Sequence, residues 1–192
     1  MSVSHLPTLE SINTLTNQSV ISGSKLEFTF DEENGVIIDK ATGERCLIFP
    51  KARLEHIFTR LTDIFQSGAQ VIITEAFKGA GKWYVSQMRE EAENNKAEFF
   101  KSAVQRFKDG GVGRVEIVEF KPETAELRFR IWNNLFAEMY HEQDTYCHCV
   151  EAYVSGIYEE LLGVTPEIQK TKCIGKNDPY CEWRFRLPSN GE

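Results

Sequence analysis

Two stretches decide how this chain is read. The first is Tyr146-Cys147-His148-Cys149-Val150-Glu151-Ala152-Tyr153-Val154-Ser155-Gly156-Ile157-Tyr158-Glu159-Glu160-Leu161-Leu162-Gly163. The second is Cys173-Ile174-Gly175-Lys176-Asn177-Asp178-Pro179-Tyr180-Cys181-Glu182-Trp183. The first reads as an apolar helix over Tyr146–Leu162, stopped by Gly163. The second is a loop bearing Gly, Asn and Pro between two thiols. It leads into a strand whose Cys181, Trp183, Phe185 and Leu187 share one face. Four of the five cysteines fall in these two stretches. Cys147 and Cys149 are two apart, so on a helix they point in different directions. At a helix N-terminus, Cys147 would have its thiolate favoured by the dipole and the backbone N–H groups. The loop can fold back so that Cys173 and Cys181 meet. Two readings stay open here: soft-metal ligands, or small buried hydrophobes.

Working outward, alternation over Lys25–Phe30, a turn at Glu33-Asn34-Gly35 and the run Val36–Asp39 predict a hairpin. A third strand follows over Glu44–Phe49. Leu54, Ile57, Phe58, Leu61, Ile64 and Phe65 recur at three and four residues and predict a helix over Arg53–Gln66. Val71-Ile72-Ile73 reads as a buried strand over Gln70–Phe77, and a long helix is expected from about Lys82 to Phe107, ended by Gly110-Gly111. Strands are expected over Arg114–Lys121 and Ala125–Trp132, with Leu127, Phe129 and Ile131 on one face. A short helical or irregular piece is expected over Asn134–His141, and closing strands near Pro166–Lys172 and Tyr180–Leu187. The fold class is therefore α+β, a largely antiparallel sheet packed with three main helices. Residues 1–24 read as an arm, and residues 25–192 as a single domain.

At 192 residues, with 41% hydrophobic and 27% charged residues, the chain can bury a substantial core. A net charge of −7 argues against a dedicated nucleic-acid binder, which must neutralise phosphates. No apolar run is long enough to span a membrane, and Met1–Ser24 lacks the pattern of a signal peptide. A cytoplasmic, reducing location is expected, where cysteines act as thiols or metal ligands rather than disulfides.

Lys78-Gly79-Ala80-Gly81-Lys82 invites a phosphate-loop reading and fails it. Position 76 is Ala where the first Gly belongs, and Trp83 stands where a magnesium-binding hydroxyl is needed. His5 and His56 have no evident nucleophile partner. Arg89–Lys96 reads as a solvated helix face.

The series Cys147, Tyr153, Gly156, Gly163, Cys173, Cys181 and Trp183 resembles the signature of the 4-vinyl-reductase domain family. Ala152 and Asn177 stand where that pattern has Gly. The resemblance covers about residues 45–187. It implies the α+β ligand-binding fold shared with haem-nitric-oxide sensors and TRAPP subunits, hydrocarbon binding in an internal pocket, and dimerisation. It also implies a structural zinc held by three Cys and one Glu. The three Cys fall on Cys147, Cys173 and Cys181, but the Glu falls on Lys170. A lysine is a poor zinc ligand. His148 and Cys149 are then the nearest candidates for a fourth ligand, with Glu167 and Asp178 behind them.

The pocket implied by the family's fold would be lined by Phe58, Phe65, Trp83, Met88, Phe129, Trp132, Tyr153 and Ile157. The expected function is a sensory or binding protein for a small hydrophobic or aromatic molecule, acting through dimer or partner contacts. A tetrapyrrole vinyl reductase is the enzymatic alternative, although no dinucleotide fingerprint is present. An acyl-chain-holding subunit of a tethering-type complex is the structural one.

Overall fold

The computed structural model describes residues 27–141 and 144–188; the expected arm, residues 1–24, lies outside them. The chain divides into two compact units, Met1–Ile48 and Phe49–Glu192. In the first, β1 (Phe28–Asp31), β2 (Val36–Asp39) and β3 (Arg45–Cys46) form an antiparallel three-stranded sheet. Its turns use Gly35 and Gly43 at positive φ, 63° and 71°. Glycine takes such angles without strain.

The second unit holds α1 (Lys51–Phe65), α2 (Ser67–Gln87), α3 (Arg89–Asn94) and α4 (Lys96–Asp109), followed by β4 (Arg114–Lys121) and β5 (Glu126–Trp132). A short ribbon, β6 (Tyr140–His141) and β7 (Asp144–Thr145), leads to α5 (His148–Leu162). The chain then runs through β8 (Glu167–Lys172) and a single 3-10 turn (Ile174–Lys176) to β9 (Cys181–Arg186). The main sheet is antiparallel throughout, in the order β4-β5-β9-β8. The architecture is α+β.

Two expectations are corrected. Residues 70–77 are not a strand but part of the long helix α2. The stripe Ala69, Ile73, Phe77, Gly81 and Tyr84 is spaced for a helix; Ala69, Ile73, Gly81 and Tyr84 are buried and Phe77 packs against the core. Val71 and Ile72, which made the apolar run, face outward at 63% and 50% exposure. A short apolar run cannot by itself separate strand from helix. The expected long helix from Lys82 to Phe107 is three pieces, α2, α3 and α4. It breaks at Met88 (φ −111°) and again at Asn95, whose side chain accepts from the Glu98 N–H at 3.1 Å and caps α4. The three expected main helices are thus five among the described residues.

The core lies between the inner face of the main sheet and the helices. On β5, Leu127, Phe129 and Ile131 point inward, joined by Cys181, Trp183 and Phe185 of β9. The Phe129 and Trp183 rings stack at 5.0 Å between centroids. The outer face is laced by charge. Glu182, 3% exposed, accepts from Arg130 Nε at 2.6 Å, Thr171 Oγ1 at 2.7 Å and Arg128 Nε at 3.3 Å. Burial would raise its carboxyl, but these partners carry it down to about 2.

Candidate functional site

Two constellations stand out in the second unit. The first gathers the cysteines around one lysine. Cys147 is the N-cap of α5 and is 1% exposed. Its sulfur lies 3.7 Å from that of Cys173, which is 5% exposed. Lys170 lies directly across the ladder from Trp183, on the core-facing side of edge strand β8. Its ammonium donates to the Cys147 sulfur. Burial alone would lower that ammonium, but Cys147 and then Cys173 hold it above its usual range. A register shift between Lys170 and Lys172 lets Thr171 turn outward to Glu182.

Cys181 completes the group. A hydrogen bond with Cys147, together with burial, keeps its thiol well above the usual range. Its sulfur also accepts from the Ile174 N–H at 3.4 Å and from the buried Asn134 amide at 3.7 Å. The loop between Cys173 and Cys181 folds back as expected. Asp178 accepts from the Cys173 N–H at 2.8 Å, and Asn177 takes the left-handed conformation at φ 66°. Glu151, one turn along α5 from Cys147, accepts from the Trp183 indole at 2.7 Å. Burial raises the Glu151 carboxyl; the indole and the nearby Lys170 charge oppose that rise.

The zinc implied by the resemblance was tested against this donor set. Cys147, Cys173 and Cys181 converge. His148, the residue after Cys147, has its ring 6.0 Å from that of Tyr146. Cys149 is fully buried, and burial pushes its thiol far up. The place next to Cys147 is taken by an ammonium. Among the described residues no group of three or more His, Cys, Asp or Glu side chains could hold a metal ion. As they stand, these residues do not fit zinc.

The second constellation is a cluster of rings where α1, α2 and the segment before α5 meet. Phe58 packs edge-on to Phe77 at 6.1 Å and to Tyr146 at 5.0 Å, and stacks with Phe136 at 6.3 Å. Phe77 and Phe136 meet edge-on at 5.2 Å. Thr62 Oγ1 gives its proton to the Phe58 carbonyl (2.9 Å) and so accepts from the Tyr146 hydroxyl, also at 2.9 Å. A hydroxyl pair is thereby set among apolar rings.

Of the expected pocket liners, only Phe58 lies in this cluster. Phe129 and Ile157 are fully buried core, and Met88 packs at its margin. Tyr153 is half-buried against Phe107 at 5.1 Å. Phe65 and Trp83 are 50% and 44% exposed. Trp132 pairs with Arg114, opposite in face to Phe129, since three residues along a strand reverse the side. Its ring lies under the Arg114 guanidinium at 4.1 Å and beside Tyr180 at 5.2 Å. Phe77, Phe136 and Tyr146 were missed. Phe77 was hidden by the strand assignment, and helical spacing from Ile73 would have exposed it. Phe136 and Tyr146 lie in segments without periodicity, so no sequence signal pointed to them.

The second unit carries the strand order β4-β5-β9-β8 with α2 packed on α5. The chain is similar in fold to the crystal structure of the phenol-responsive sensory domain of the transcription activator PoxR with phenol. That match has a TM-score of 0.67 at 15% identity and covers 86% of this chain and 87% of that one. The chain is also similar to a vinyl-4-reductase family protein from Methanocaldococcus jannaschii, with a TM-score of 0.50 at 14% identity over 75% and 85% of the two chains. No family model and no curated protein matches the sequence. Among the described residues no helix is long and apolar enough to cross a membrane.

Proposed function

We propose that this chain is a binding protein for a small hydrophobic or aromatic molecule, of the sensory kind. The observation that carries this reading is the ring cluster of Phe58, Phe77, Phe136 and Tyr146 around the Thr62–Tyr146 hydroxyl pair. An aromatic ligand parting these rings replaces ring–ring contacts with equivalent ones. A ligand hydroxyl can bond to either Thr62 or Tyr146. The phenol named in the PoxR structure has this chemistry. Output would pass through a second copy or a partner. Ile57, Ile64, Phe65, Val71 and Ile72 are exposed on α1 and α2 and could serve such a contact.

The test is titration of the purified chain with phenol, cresols and benzene, followed by calorimetry and by ligand-observed NMR. Saturable binding of a phenol, weakened in Phe77→Trp, supports the reading. Absence of saturable binding across the series, with the fold intact by circular dichroism, sinks it.

A further inference from the structure

An unusual cation reaches the cysteine cluster. Lys170 reaches it because β8 is the edge strand and its register places Lys170 opposite Trp183 on the core side. There the ammonium donates to Cys147 and lies 5.9 Å from the centroid of the Trp183 ring. Trp183 in turn donates to Glu151, on the same helix as Cys147. One positive charge thus ties the N-terminus of α5 to the edge of the sheet. Through Cys173 and Cys181 it also ties in the loop between β8 and β9.

This is the mechanical task of a structural metal: to hold together sulfurs that are distant in sequence. A divalent ion would need the sulfur lone pairs at about 2.3 Å. Those lone pairs are already in use. Cys147 accepts from Lys170 and lies 3.7 Å from the Cys173 sulfur, and Cys181 accepts from Ile174 and Asn134. A dication beside an ammonium at contact distance would also be strongly repelled. A charge-assisted hydrogen bond from lysine needs no fourth ligand.

We propose that Lys170 takes the place of a metal ion in this cluster, so that the chain closes its cysteine site with its own ammonium and folds without zinc. The inference does not depend on what the ring cluster binds.

The test uses the full chain expressed in zinc-replete medium, with native mass spectrometry, elemental analysis and competition against a chromophoric chelator. The wild type is expected to carry no stoichiometric zinc and to melt at the same temperature with and without a chelator. Lys170→Glu exchanges the ammonium for a carboxylate and is expected to take up zinc at one ion per chain, with melting raised by the metal. Lys170→Met is expected to melt several degrees below the wild type whether or not zinc is present. A wild-type chain holding one zinc, whose removal lowers the melting temperature, overturns the proposal. So does a folded Lys170→Glu that takes none, or a Lys170→Met that melts with the wild type. If Lys170→Glu folds only when zinc is added, the proposal stands.

Discussion

Gly81 of α2 and Gly156 of α5 let two helix backbones touch. Gly81 lies against α5 between Tyr153 and Ile157, and Gly156 lies against α2 between Lys78 and Lys82. A Cβ on Gly81 would collide with the Tyr153 carbonyl, and one on Gly156 with that of Lys78. The close approach also brings Lys78 and Lys82 onto Glu159, at 2.7 and 2.8 Å. The glycine-lysine run that imitates a phosphate loop is thus the surface on which α5 packs.

Gly156→Ala is therefore expected to destabilise the chain by about 3 kcal/mol or more, because the obstacle is backbone that cannot rotate away. Gly79→Ala, two residues from Gly81 with nothing within 4 Å of the added Cβ, is expected to stabilise by about 0.5–1 kcal/mol. Urea unfolding of both variants checks the contrast. Equal effects would mean that the two helices do not cross at these glycines.

Glu182 makes stability depend on acid. Its carboxyl is held at about 2, below the usual 4.5. The stability it contributes is fully present above about pH 4.5 and is lost as the pH falls toward 2. Glu182→Gln keeps the shape but loses the charge. It is expected to cost about 1–3 kcal/mol at neutral pH and less in acid. Urea midpoints between pH 7 and pH 2.5 should converge for the two proteins; parallel curves would contradict the assignment.

Cys147 and Cys173 are poised to close on each other. Their sulfurs, 3.7 Å apart, need to approach to about 2.05 Å. One hydroperoxide would take both thiol hydrogens and leave as an alcohol and water, giving a disulfide. Mild peroxide should lower the chain's mass by two hydrogens, reversibly with dithiothreitol. Peptide mapping should join Cys147 to Cys173. Cys173→Ser should abolish the change and Cys149→Ser should leave it, since Cys149 is outside the 3.7 Å pair and its thiol is held protonated.

Tyr146→Phe removes one hydroxyl from the ring cluster and keeps the ring. If a phenol binds there, its affinity should fall roughly tenfold while benzene binding is unchanged. Calorimetry on the two ligands separates this from a general loss of packing, which would weaken both.

Periodicity located the elements that carry one clear face. Strand β5 shows its inward face by strict alternation, Leu127, Phe129 and Ile131, and the structure buries all three. The end of α5 was legible in Gly163, which takes the left-handed conformation at φ 73°. Helix α2 was not legible, because Val71 and Ile72 are apolar yet exposed, while the buried stripe contains a glycine chosen for its lack of side chain. Nor did apolarity separate a pocket from a surface: Phe65 and Trp83 are apolar in any reading, but which face of a helix meets the core is set by its neighbours.

The sequence by itself determined the α+β class, the antiparallel strands around β5 and the closing turn at Asn177. These follow from local periods and turn chemistry, which act over a few residues. Only the tertiary structure decided that Lys170 meets Cys147, that Thr62 meets Tyr146 and that Gly81 lies against α5. Those contacts join residues 23, 84 and about 72 positions apart, and such pairings depend on how whole elements pack rather than on any local signal.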